Sequence, residues 1–101
     1  MNFSSTQTPD GATISLTGAF TFNDHHSFRA VLDILKTASG PRHVLDLSGI
    51  DFLDSAALGM LLIAQDLAQA SSWALILRKP ADRVAQLIEL SALHTIFTIE
   101  P

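Results

Sequence analysis

The chain contains no cysteine, which excludes disulfides, thiolate nucleophiles and zinc–thiolate sites together and fits a reducing compartment. Basic residues are few: six Lys and Arg stand against ten Asp and Glu, for a formal net charge of -4. No basic run interrupts that balance, so binding to nucleic-acid phosphates is not expected. Long apolar runs are missing too. The longest, Ala56 to Ala64, gives way to Gln65 and Asp66 and is about half the roughly 20 residues a membrane-spanning helix requires. It reads as a buried helix, and direct membrane insertion is not expected. Met1-Asn2-Phe3-Ser4-Ser5-Thr6 lacks the basic start and apolar stretch of a secretory signal, so the expected location is cytoplasmic. Without a glycine-rich phosphate loop, the chain is not expected to bind a nucleotide or other cofactor itself.

What remains is ample apolar material. Hydrophobic residues make up 48% and charged residues 16% of 101, enough to offset the entropy of folding in one domain. Thr8-Pro9-Asp10-Gly11 is a turn signal joining a short N-terminal strand to a second, Ala12 to Thr17. In that strand Ile14 and Leu16 alternate with polar residues, as on a sheet with one buried face near an edge. Asn23 or Asp24 suits a helix N-cap; Phe28, Val31, Leu32 and Leu35 then form one apolar stripe that Gly40-Pro41 ends. His43 to Ser48 and the nearly all-apolar Trp73 to Leu77 read as central strands, the latter covered on both faces. A helix over about Ala56 to Ala70 makes the crossover between them, which implies parallel pairing. Pro80 suits the first position of a third helix, with Val84, Leu87 and Ile88 inward, and Thr95 to Glu100 alternates as a last strand. The order β-β-α-β-α-β-α-β is that of a single α/β domain with a mixed central sheet and helices packed on it.

The chemistry concentrates in the loop Gly49-Ile50-Asp51-Phe52-Leu53-Asp54-Ser55, which leaves the C-terminal end of a central strand, where α/β sheets bind ligands and partners. Either Asp54 or Ser55 can serve as the cap of the following helix, worth about 0.5–2 kcal/mol. Ser55 at a helix N-terminus is equally suited to carry a phosphate. Ala56, Ala57 and Gly59 fit a helix lying close to a sheet. Adjacent His25 and His26 point about 100° apart on a helix and do not share a metal. His43 and His94 are isolated, so no metal site is expected. A serine-hydrolase role for Ser55 lacks the Gly-x-Ser-x-Gly elbow, and no enzymatic activity is expected.

Val44-Leu45-Asp46-Leu47-Ser48-Gly49-Ile50-Asp51-Phe52-Leu53-Asp54-Ser55-Ala56-Ala57-Leu58-Gly59-Met60-Leu61-Leu62 resembles the signature of STAS domains, the family of anti-sigma factor antagonists. The resemblance implies a single STAS-like domain over residues 1–101. It also implies that the serine after the loop aspartate, by position Ser55, is phosphorylated by an anti-sigma factor with serine kinase activity. The unmodified form would bind that partner and release a sigma factor, and a serine phosphatase, alone or on a response regulator, would reset it. The implied partner surface comprises Asp24, Asp51, Phe52, Leu53, Asp54, Ser55, Ala56 and Leu58. Many members follow the serine with a second hydroxyl residue and then glycine; here Ala56 and Ala57 leave Ser55 as the single hydroxyl of the helix start.

Phosphorylation would add about -1.5 to -2 charge units beside Asp51 and Asp54, with Asp46 on the preceding strand. The apolar part of the surface would include Phe22, Phe52 and Leu53, all three of which also read as core. A rival within the same resemblance is an accessory subunit of a membrane ABC transporter that binds the ATPase without phosphorylation.

Overall fold

A computed structural model describes residues 1–91 and 95–101; His94 lies outside the described residues. The Pro9-Asp10 turn joins β1 (Asn2–Thr8) to an antiparallel β2 (Gly11–Phe20). A single turn of 3-10 helix over Phe22–Asp24 leads into α1 (His25–Thr37), which buries the expected Phe28, Val31 and Leu35. Then come β3 (Arg42–Leu53), α2 (Ser55–Ser71), β4 (Ala74–Arg78), α3 (Asp82–Leu90) and β5 (Thr98–Glu100). The element order is the one the periodicity predicts.

The sheet runs β1-β2-β3-β4-β5, with only β1 antiparallel to its neighbour. Each parallel strand is laid beside the last in the same direction, and crossovers of this kind are right-handed. All three helices are therefore placed on one face. The register sorts the side chains accordingly: Ile14, Leu45, Leu77 and Ile99 align across four strands toward the helices, while Ser15, Asp46, Arg78 and Glu100 form the next row on the open face. Between the layers, Ile14, Leu16 and Leu47 pack in one core with Leu35, Leu61 and Ile88, and the Phe20 and Phe28 rings stack at 5.2 Å.

Three expectations are corrected. β4 is central but covered by helices on one face only; its Ile76 lies on the open face, buried beside Val44 in register. Pro80 precedes α3 rather than opening it, because Ala81, in extended conformation, occupies the N-cap position. The last strand begins at Thr98, not Thr95: it pairs with β4 at Ile76, Leu77 and Arg78, and Phe97 just before it is buried in the core. Among the described residues, no helix is long and apolar enough to cross a membrane.

One buried polar group lies at the far end of β3. The His43 ring is fully buried, its Nδ1 accepts the Ala12 amide proton at 2.9 Å, and it meets Trp73 edge-on with ring centroids 4.5 Å apart. Accepting through Nδ1 fixes the neutral tautomer with hydrogen on Nε2. Burial pushes its pKa below the ordinary 6.5, because a charged ring would be desolvated and would lose the Ala12 bond. Below that value the unfolded chain binds more protons than the folded one. The stability that neutral His43 contributes is thus complete above about pH 6.5 and is lost as pH falls below it. The urea midpoint should fall as pH is lowered from about 8 to about 5, and His43→Gln should flatten that fall. An unchanged slope in the variant would assign the titration to another group.

Candidate functional site

β3 reaches the site through two irregularities. Against β2 it steps from Asp46 to Gly49 while β2 steps from Ser15 to Thr17, and from Ile50 to Phe52 while β2 steps from Gly18 to Ala19. Each step inserts one extra residue, the signature of a β-bulge. The first bulge depends on Gly49, where a Cβ would approach Thr17 Cγ2 to 2.7 Å. The second, at Asp51, re-aims the end of the strand: Asp51 and Phe52 are exposed, and Leu53 returns to the core. The segment Gly49 to Leu53, expected as loop, is therefore bulged strand.

Asp54 ends the strand and caps α2. Its Oδ1 accepts the Ala57 amide proton at 2.8 Å, and its Oδ2 accepts the Phe22 amide proton at 3.1 Å. Its own amide donates to the Phe20 carbonyl at 3.3 Å. One side chain thus satisfies a free amide of the helix start and also ties the end of β3 to the turn after β2. Ser55, the first residue of α2, is exposed. Its hydroxyl has no hydrogen-bond partner among the described residues. The two cap candidates are resolved: Asp54 caps and Ser55 is free.

Around Ser55 the helix divides sharply. Ala57 is fully buried against the sheet, as expected of a small residue there, and Leu58 packs on the margin of the core. Ala56 is half-buried. Gly59, one turn beyond Ser55, is exposed, and a Cβ added to it would meet nothing within 4 Å. Sheet packing therefore does not explain this glycine.

Of the remaining predicted residues, Asp24 is close to the site but engaged. Its Oδ2 accepts the Thr21 amide proton at 2.8 Å in a reciprocal capping box, and its Oδ1 pairs with the Met1 amino group at 3.0 Å. Burial pushes this carboxyl up, but the Thr21 amide and the Met1 charge outweigh it and hold the pKa below 3.8. Asp46 does not join the site: it lies more than about 20 Å back along β3, on the open face. There it accepts the Ser48 amide proton at 2.9 Å. Burial raises its pKa, and the Ser48 bonds with the charges of Arg78 and Lys79 more than reverse that.

Phe22 and Phe52, which read as core, are 62% and 46% exposed, whereas Leu53 is core. Both residues lie close to Asp54 along the backbone: the Phe22 amide donates to its carboxylate, and Phe52 precedes it by two positions. Beside Phe52 the sequence reading missed a shallow apolar depression of about 340 Å³, lined by Arg83, Gln86, Leu87 and Leu90 of α3. A signal was present, since Leu90 falls off the Val84–Leu87–Ile88 stripe and is 83% exposed.

The rim so assembled presents a free hydroxyl, a capping carboxylate and two exposed phenyl rings at the C-terminal ends of β2 and β3. A family model described as Mlab, STAS domain, matches residues 3–99. The chain belongs to the STAS domain family. A STAS-domain containing protein of Pseudomonas aeruginosa strain UCBPP-PA14 is 34% identical over 88 residues, covering 86% of this chain and 85% of that protein. Among solved structures, this STAS domain is similar to a putative anti-sigma factor antagonist from Thermotoga maritima, with 21% identity and a TM-score of 0.82 over 98% of this chain and 86% of that one. It is also similar to the anti-sigma factor antagonist SpoIIAA in its unphosphorylated form, with 20% identity and a TM-score of 0.75 over 99% and 89%. These two likenesses establish the fold, a small mixed sheet with three helices.

The division of labour at the helix start is measurable by urea denaturation. Asp54→Ala should cost about 1–2 kcal/mol as an N-cap is lost, while Ser55→Ala should stay within about 0.5 kcal/mol of the parent, as for an exposed residue without partners. Equal losses would return the cap to both residues. Gly59→Ala should stabilise the fold by about 0.5–1 kcal/mol, because it removes backbone freedom and strains nothing.

Proposed function

We propose that this STAS domain is an anti-sigma factor antagonist, a binding switch set by phosphorylation of Ser55. In the unmodified state the rim binds an anti-sigma factor with serine kinase activity, which then releases its sigma factor. Phosphorylation ends that complex, and a serine phosphatase, alone or on a response regulator, restores it. The observation that carries the reading is the free, exposed hydroxyl of Ser55, made available because Asp54 alone supplies the cap.

The physical basis is local. Ser55 opens α2, a helix of 17 residues, so a phosphate there meets the positive end of the helix dipole and the unsatisfied amides of the first turn. ATP belongs to the partner; Oγ of this chain attacks the γ-phosphorus, the bond to the β–γ bridging oxygen breaks and releases ADP on the kinase, and the hydroxyl proton leaves to a base of the kinase. The modification adds about -1.5 to -2 charge units beside Asp54, near exposed Asp51. A partner surface that covers Phe22 and Phe52 while bringing its own carboxylates close would then be repelled. On this reading the protein acts by binding, and the role of Ser55 is to be modified rather than to catalyse.

Calorimetric titration of the anti-sigma partner should give affinities within about threefold for the parent and Ser55→Ala. Ser55→Glu should weaken binding at least about tenfold, the scale of losing one charge-sensitive contact. Equal affinities for Ala and Glu variants would overturn the charge switch. Incubation with the kinase and ATP should place one phosphate on Ser55 by mass spectrometry and none on Ser55→Ala. Recovery from lysate of an ABC transporter ATPase in place of an anti-sigma factor would support the transporter-subunit role and overturn this one.

A further inference from the structure

The two edges of the sheet are built differently. β5 is three residues long, and its Glu100 is bound to Arg78 at 2.9 Å and to Arg42 at 3.7 Å. Shortness and charge are two means by which natural sheets deter pairing at an edge. β1 uses neither. It is seven residues, Asn-Phe-Ser-Ser-Thr-Gln-Thr, without charge or proline, and exposed at five of its positions. It pairs with β2 along one side only, which leaves backbone amides and carbonyls of alternate residues open to another strand.

We propose that this edge binds β1 of a second copy, antiparallel, about a two-fold axis through Ser5 and normal to the sheet. An axis in that direction continues the sheet and keeps both helix layers on the same side. Parallel pairing would turn one copy over and set helices beside an open polar face.

The strand is also complementary to itself in this register. Pairing with β2 places Phe3, Ser5 and Gln7 on the helix face, opposite Leu16, Ile14 and Ala12, and Ser4 and Thr6 on the open face, opposite Ser15 and Thr13. Centred on Ser5, Ser4 meets the second copy's Thr6, Asn2 meets its Thr8, and Phe3 meets its Gln7. Hydroxyl pairs across strands are favourable, and no like charges are brought together. For a chain with a net charge of -4, an uncharged strand is the place where two copies approach without repulsion.

The dimer leaves the Asp54–Ser55 rim uncovered, since that rim lies at the ends of β2 and β3 rather than along β1. It therefore stands independently of the phosphorylation switch.

Sedimentation velocity of the full chain from micromolar to millimolar concentration tests the pairing. The parent should show a monomer–dimer equilibrium. Ser5→Lys and Ser5→Glu should each dimerise at least about tenfold more weakly, because like charges meet at the axis, and an equimolar mixture of the two variants should restore the dimer. A parent that stays monomeric throughout, or charged variants that dimerise as the parent does, would overturn the proposal. Hydrogen exchange of the unmodified chain gives a second readout independent of any variant: β1 amides should become more protected as concentration rises, and unchanged β1 protection would equally overturn it. Ser55→Glu should leave the equilibrium unmoved.

Discussion

Right-handed crossovers laid in one direction leave the helices no choice of side, and most of this STAS domain derives from that constraint. With α1, α2 and α3 on one face, a single interlayer holds the core formed by Ile14, Leu45 and Leu77 against Phe28, Leu61 and Ile88. The other face is left to water and carries the row Ser15, Asp46, Arg78 and Glu100. Parallel strands also finish together, so the ends of β2 and β3 arrive at one rim, and the start of α2 with them. The positions of Ser55 and the unprotected edge at β1 both result from the same strand order.

At the rim, two bulges and one carboxylate convert that placement into a surface. Gly49 lets β3 gain a residue against Thr17, and Asp51 adds another, which turns Phe52 outward. Asp54 then uses both oxygens on backbone amides of different elements. The Ala57 amide is partly buried, and leaving such an amide without a partner costs more than the net value of an average hydrogen bond; the exposed Phe22 amide adds a second bond that holds the same side chain. Ser55 takes part in neither bond.

The regular parts of the fold were legible because periodicity is local. Phe28, Val31 and Leu35 announce α1 by their spacing, and Ile14 and Leu16 mark the inward face of β2, without knowledge of what lies opposite. The family motif likewise placed Ser55 at a helix start. The bulges were not legible, because they exist only as a register between β2 and β3, strands more than twenty residues apart. Hence Phe52 read as core and proved exposed, while Leu53, one residue on, is buried. The sequence also left Asp54 and Ser55 as equal candidates for one cap; only the second bond, to the Phe22 amide, explains why the aspartate takes it.

Asp54 has a further consequence in time rather than in space. Because its carboxylate ties the helix start to the turn after β2, the phosphate proposed for Ser55 would leave those backbone hydrogen bonds in place. On that proposal, neither of the two Asp54 bonds has to break for the switch to act. Under the proposed switch, the lifetime of each state would be set by the enzymes that add and remove the phosphate.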